Sequence, residues 1–113
     1  MDCIFCKIAE KNIPAKVIYE DEHAIAFEDI NPQAPVHVLV IPRKHISTII
    51  DIQDEDMSLL GHLFYVVNVI AAQKEVDKSG FRVVLNCNEE AGQTVFHIHL
   101  HVLGGRLMQW PPG

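Results

Sequence analysis

The segment His97-Ile98-His99-Leu100-His101-Val102-Leu103 restricts this chain more than any other stretch. Imidazole and aliphatic side chains alternate with a period of two. The segment therefore reads as a β-strand with three histidines on one face and Ile98, Leu100 and Val102 on the other. Neighbouring imidazoles on such a face stand roughly 6.5 Å apart. Three titratable rings make poor core filling, because each buried ring needs hydrogen-bond partners. Three plainer accounts compete with a reactive site. One is an exposed face that happens to carry histidines. Another is an adventitious chelate of i and i+2 histidines. The third is a metal-dependent hydrolase, which would want an HExxH helix or an acidic cluster near the strand, and neither is present.

The remaining sequence bounds the answer. A length of 113 residues, 49% hydrophobic and 21% charged, fits one globular domain over residues 1–113. The net charge of −6 and the scattered placement of nine Lys and Arg argue against a nucleic-acid partner. A small phosphate remains open, because backbone amides and imidazoles can hold one. No secretory signal follows Met1, and the uncharged run between Asp56 and Lys74 falls short of the ~20 apolar residues of a membrane helix. Three cysteines in such a chain suggest a reducing, cytoplasmic setting and thiol or metal chemistry.

The chain reads as an α+β domain. Residues 4–8 predict a short N-terminal helix, broken at Ile13-Pro14-Ala15. Strands are predicted at 17–19, 24–27, 36–41, 81–87 and 95–103, with the two-proline segment 31–35 as a loop. Acidic residues after Asp51 suit a helix start, and one long helix is predicted over 54–78, stopped by Ser79-Gly80. That helix is apolar on more than one side, with only Ser58, His62 and Tyr65 as a polar stripe. Either it is central in a monomer or its second side meets a partner subunit. Strands in hairpin-like succession predict a five-stranded antiparallel sheet.

The triad, with Gly92-Gln93-Thr94-Val95-Phe96 before it and Gly104-Gly105-Arg106 after it, resembles the histidine triad (HIT) superfamily. Asp29-Ile30-Asn31-Pro32-Gln33-Ala34-Pro35-Val36-His37 and Ile41-Pro42-Arg43-Lys44-His45 extend the resemblance over nearly the whole chain. The ending Trp110-Pro111-Pro112-Gly113 points to the Hint branch, the purine nucleoside phosphoramidases. The resemblance implies a homodimer that hydrolyses the P–N bond of AMP or GMP amides through a nucleotidyl-histidine. His99 is the implied nucleophile, a role that suits a neutral imidazole near pH 7. His37 and His101 are assigned phosphate contact or proton transfer without distinction. Gly92, Gln93 and Thr94 are implied to offer backbone N–H groups and a hydroxyl to the phosphate, and Asn86 a substrate contact. Asp29 is implied to accept from both ribose hydroxyls. Ile4, Phe5, Ile8, Phe27 and Ile30 resemble the walls of a base pocket. In the Hint branch Trp110 reaches the neighbouring subunit's site. Taken alone, Gly92 is a turn glycine, Asn86 a strand-end residue, Asp29 a turn residue and the five apolar residues core.

Cys3-Ile4-Phe5-Cys6 is by itself half a zinc site or a redox pair. Some relatives close a zinc site with the first triad histidine and a histidine after the preceding strand, here His97 and His45. Two thiolates and two imidazoles would make a structural Zn2+ site, whereas Cys87 reads as a small buried residue. Two other functions fit the same residues: a dinucleoside polyphosphate hydrolase, and a nucleotide-binding or zinc-stabilised interaction module without turnover.

Overall fold

The β-branched run over residues 36–41 builds the central strand of the sheet, and two helices are laid on its faces. The computed structural model describes residues 2–113. Strands β1 (Val17–Glu20), β2 (Ala24–Glu28) and β3 (Val36–Pro42) form a meander. Helix α2 (Met57–Gln73) then crosses over to β4 (Phe81–Val84), and β5 (Leu100–Gly104) returns between β3 and β4. The order is β1-β2-β3-β5-β4, with every pair antiparallel. The short helix α1 (Ile4–Ala9) precedes them all. The predicted α+β class, five antiparallel strands, long helix and short N-terminal helix are all present. The hairpin succession is broken once, by the α2 crossover. No helix among the described residues is long and apolar enough to cross a membrane.

Period-two alternation divides the sheet into two cores. Ala24, Ala26, Val38, Val40, Leu100 and Val102 face α2, where Leu63, Val66, Val67 and Ile70 pack on them. Ile25, Phe27, Leu39 and Ile41 face the other way, toward Phe5 and Ile8 of α1. The register pairs Leu39 with His101 and His37 with Leu103, which places both histidines on the α1 side. The outer side of α2 is uncovered in the single chain, with Met57 70%, Phe64 52% and Tyr65 59% exposed.

Three elements differ from expectation in where they begin or end. Sheet pairing of the triad strand begins at Leu100, not at residue 95. Its partner β3 ends at Pro42, whose carbonyl accepts from the His97 side chain at 2.7 Å, while Ile98 N–H turns aside to the Ile46 carbonyl at 2.8 Å. Strand β4 stops at Val84 instead of Cys87. The long helix starts at Met57, after a single 3-10 turn over Asp54–Asp56, and ends at Gln73, well before Gly80. Its stop is a Schellman motif made without glycine. Glu75 takes φ 59, Glu75 N–H bonds Ala72 and Val76 N–H bonds Ala71. The hydrophobic residue that follows, Val76, folds in over the sheet and is 4% exposed.

Val76 also explains Gly104. A Cβ at Gly104 would lie 3.0 Å from Val76 Cγ1 and 3.1 Å from its Cβ. Gly104→Ala is expected to cost about 1–3 kcal/mol by overpacking, read as a lowered urea midpoint at unchanged slope. Adding Val76→Ala should return part of that loss, and a strictly additive double variant would refute the contact.

Candidate active site

The site assembles where β3 and β5 carry their histidines toward α1. Hydrogen-bond partners determine which nitrogen of each imidazole holds the proton. His99 Nδ1 lies 2.8 Å from the His97 carbonyl, which can only accept, so Nδ1 carries the proton and Nε2 keeps its lone pair. His37 Nδ1 accepts the Gln33 N–H at 3.0 Å, which places the His37 proton on Nε2. That Nε2–H faces His101 Nδ1 at 3.0 Å and Asp29 Oδ2 at 3.4 Å. His101 Nδ1 therefore accepts, and its own proton sits on Nε2.

Burial keeps these rings neutral. It is the largest cause lowering His99 and His37 below the usual histidine range, with the nearby Asp29 carboxylate opposing it at both. His101 is held down to about 4 by burial and then by the adjoining His99 and His37. The His99 and His101 rings meet edge to face at 4.9 Å.

His99 and His101 line a cleft of about 330 Å³ whose walls include Ile4, Phe5, Ile8, Phe27 and Ile30. Phe5 meets Phe27 at 5.5 Å and His99 at 5.0 Å, each edge to face. Asp29 closes one side. Its Oδ1 accepts the Asn31 N–H at 2.8 Å and its backbone N–H bonds the His37 carbonyl. Thr94 also lines the cleft. Ile30 is 99% exposed at the rim and belongs to no core in the free chain.

Other sequence-selected residues lie elsewhere. Gly92 has φ 87, a glycine conformation, and its N–H bonds the Glu89 carbonyl. Gln93 N–H bonds the Asn88 carbonyl. Both amides expected at the phosphate are thus engaged within their own turn. The Gln93 side chain is buried, accepts from Asn88 N–H at 2.8 Å and donates to the Ser47 carbonyl at 2.8 Å, so it pins this loop to the β3–α2 connection. Asn86 follows the end of β4 and does not line the cleft, and Trp110 is 83% exposed away from its own chain's cleft. A larger hollow of about 580 Å³, lined by Phe81, Arg82, Arg106 and Leu107, contains no histidine. It lies along β4 and the tail, whereas His99 and His101 line the smaller cleft.

Cys3, Cys6, His45 and His97 converge beneath the cleft, each offering one ligand atom within 4.8 Å of the others. Cys3 caps α1, its Sγ accepting the Cys6 N–H at 3.3 Å. His97 Nδ1 lies 3.3 Å from Cys3 Sγ and 3.2 Å from His45 Nδ1. His97 Nε2 donates to the Pro42 carbonyl and His45 Nε2 meets Ser47 Oγ at 3.2 Å, so both rings can turn a lone pair inward. Burial, followed by the Cys3 contact, pushes the Cys6 thiol up to about 11, as expected where thiols crowd without a countercharge. The donor set fits a tetrahedral metal ion such as Zn2+. Asp29, His37 and His101 also lie within 4.8 Å of one another. There the Gln33 amide holds the His37 proton on the inward nitrogen, which suits a hydrogen-bond relay and opposes metal ligation.

Sequence reading missed Gln33, Pro42 and Ser47. The first two act through backbone atoms that leave no side-chain signal, and Ser47 was legible only as a neighbour of His45.

A model of the HIT domain family matches residues 10–108. An uncharacterized HIT-like protein of Synechococcus elongatus is 49% identical over 112 residues, covering 99% of this chain and 97% of that protein. The crystal structure of a HIT family hydrolase from Legionella pneumophila superposes with a TM-score of 0.97 at 51% identity, over 99% of this chain and 100% of that one. A histidine triad protein from Clostridium difficile superposes at 0.93 with 49% identity, over 96% and 95%.

An unfolded histidine protonates below about 6.5, whereas folded His101 stays neutral down to about 4. Between those values the unfolded chain binds more protons, so stability is complete above pH 6.5 and falls as the pH drops toward 4. The Tm should fall through this window, and His101→Asn should flatten the fall. An equally steep profile in the variant would contradict the assignment.

Proposed function

The chain belongs to the HIT domain family, and from that premise we propose that it hydrolyses the P–N bond of purine nucleoside 5′-monophosphate amides through a nucleotidyl-His99. The observation that carries this reading is the bond from His99 Nδ1 to the His97 carbonyl, which leaves Nε2 as a lone pair at the apolar cleft. Phe5, Ile8, Phe27 and Ile30 take the purine by stacking and area burial. Asp29 accepts from the ribose hydroxyls, as a carboxylate with two acceptor oxygens can. Thr94 and His101 face the phosphate.

His99 Nε2 attacks the α-phosphorus as the P–N bond breaks. His101 Nε2–H bonds a phosphate oxygen, and the departing amine takes its proton from a solvent water. A second water then splits the phosphorus–Nε2 bond, its released proton neutralises the hydroxide left by the first step, and the nucleoside monophosphate departs. His37 positions His101, because both of its nitrogens are engaged within the protein. A metal at Cys3, Cys6, His45 and His97 is structural and supplies the positive charge that keeps both cysteines as thiolates. Reduced thiols of this kind accord with a cytoplasmic location.

Two copies associate through the outer side of α2 and the edge strand β4, which covers Met57, Phe64 and Tyr65. Trp110 then approaches the partner's cleft.

Hydrolysis of adenosine 5′-phosphoramidate tests the activity. The wild type should turn over, and His99→Ala should lose about four orders of magnitude or more in kcat. AMP binding without turnover in either protein would favour a receptor, and cleavage of dinucleoside polyphosphates alone would favour the rival hydrolase. For assembly, sedimentation should give a dimer at micromolar concentration and a monomer for Phe64→Glu. A monomeric wild type would refute the interface.

A further inference from the structure

We infer that the Cys3–Cys6–His45–His97 centre and the cleft are thermodynamically linked, so that metal loading raises nucleotide affinity and nucleotide raises metal affinity. The inference rests on reading the cleft as a nucleotide site. Three separate contacts join the two. The first runs through His97, whose ring belongs to the centre while its carbonyl accepts the His99 Nδ1 proton at 2.8 Å. Anything that turns the ring bears on the peptide that sets the His99 tautomer.

The second runs through α1. Phe5 sits between the two cysteines and meets both His97, at 6.0 Å, and His99, at 5.0 Å. A six-residue helix has little stability of its own and is held by its anchors. Arg43 Nη1 holds the Ala9 carbonyl at one end. At the Phe5 end the anchors are Cys3 and Cys6. The third runs from His45 through Ser47 to Gln93, which organises the loop leading to Thr94. A metal therefore orders the cleft wall, the nucleophile and the phosphate side together. Order gained from one ligand lowers the entropic cost of binding the other, and the coupling must be reciprocal.

The test uses AMP with Zn2+-loaded and chelator-stripped protein. Calorimetry gives AMP affinity in each form. Competition with a chromophoric chelator gives Zn2+ affinity with and without saturating AMP. The visible d–d bands of Co2+-loaded protein report on the centre in a folded holoprotein, even if stripping unfolds the chain. AMP affinity should fall at least about fivefold on stripping, and AMP should raise Zn2+ affinity by the same factor. AMP should also shift the Co2+ bands, and Ser47→Ala should reduce the coupling factor. AMP affinity equal within about twofold in both folded forms, with static Co2+ bands at saturation, overturns the linkage alone. Binding of AMP to neither form overturns the nucleotide reading and the linkage with it.

Discussion

The His97 carbonyl accepts the Nδ1 proton of His99 at 2.8 Å, and the His97 ring donates to the Pro42 carbonyl at 2.7 Å. These two bonds set the direction of the central imidazole and of the ring beside it. They require β5 to leave its partner at Leu100, because carbonyls and amides locked in a sheet ladder are not available to imidazoles. The triad is thus half strand and half approach to a strand. The unpaired half holds His97 and His99.

Crowding so many imidazoles is tolerable because burial holds His37, His97, His99 and His101 below the usual histidine range and every ring has defined partners. Gln33 N–H, the Pro42 and His97 carbonyls and Ser47 Oγ supply them. No buried side-chain nitrogen or oxygen among the described residues lacks a partner. The same partners sort the histidines by task. His97 and His45 turn lone pairs toward two thiols, His99 keeps one at the cleft, and His37 is fully engaged in holding His101. In the proposed reaction one residue type thus takes three tasks, metal donor, nucleophile and positioning group, according to which nitrogen is engaged.

The sheet makes this possible by having two different faces. On one, α2 covers small and β-branched residues, and Val76 fills the space left by Gly104. On the other, the only covering helix is the six-residue α1. That face is thinly covered, so it holds a cleft. The short helix needs ties from outside itself, which its cysteines and Arg43 provide.

Much of this was legible in the order of residues. Alternation over 36–42 and 98–103 assigns each side chain to a face whatever the fold, because strand geometry has a period of two. It separated Ile98, Leu100 and Val102 from the histidines even where the ladder is absent. Acidic residues before Met57 and the apolar run after it announced the long helix. Cys3 and Cys6 marked a paired thiol site, and the family resemblance placed His45 and His97 beside it. The helix end was not legible, since Glu75 adopts a left-handed conformation that composition assigns to glycine. Nor were the bonds of the Gly92 and Gln93 amides, which the local turn consumes. Tautomers depend on partners such as Gln33, Pro42 and Ser47, which meet the histidines only after folding. The sequence by itself determined which side chains share a face, because periodicity is a local property of the backbone. Only the tertiary structure decided which nitrogen of each imidazole is free to react, because that depends on hydrogen-bonding groups brought together from distant parts of the chain.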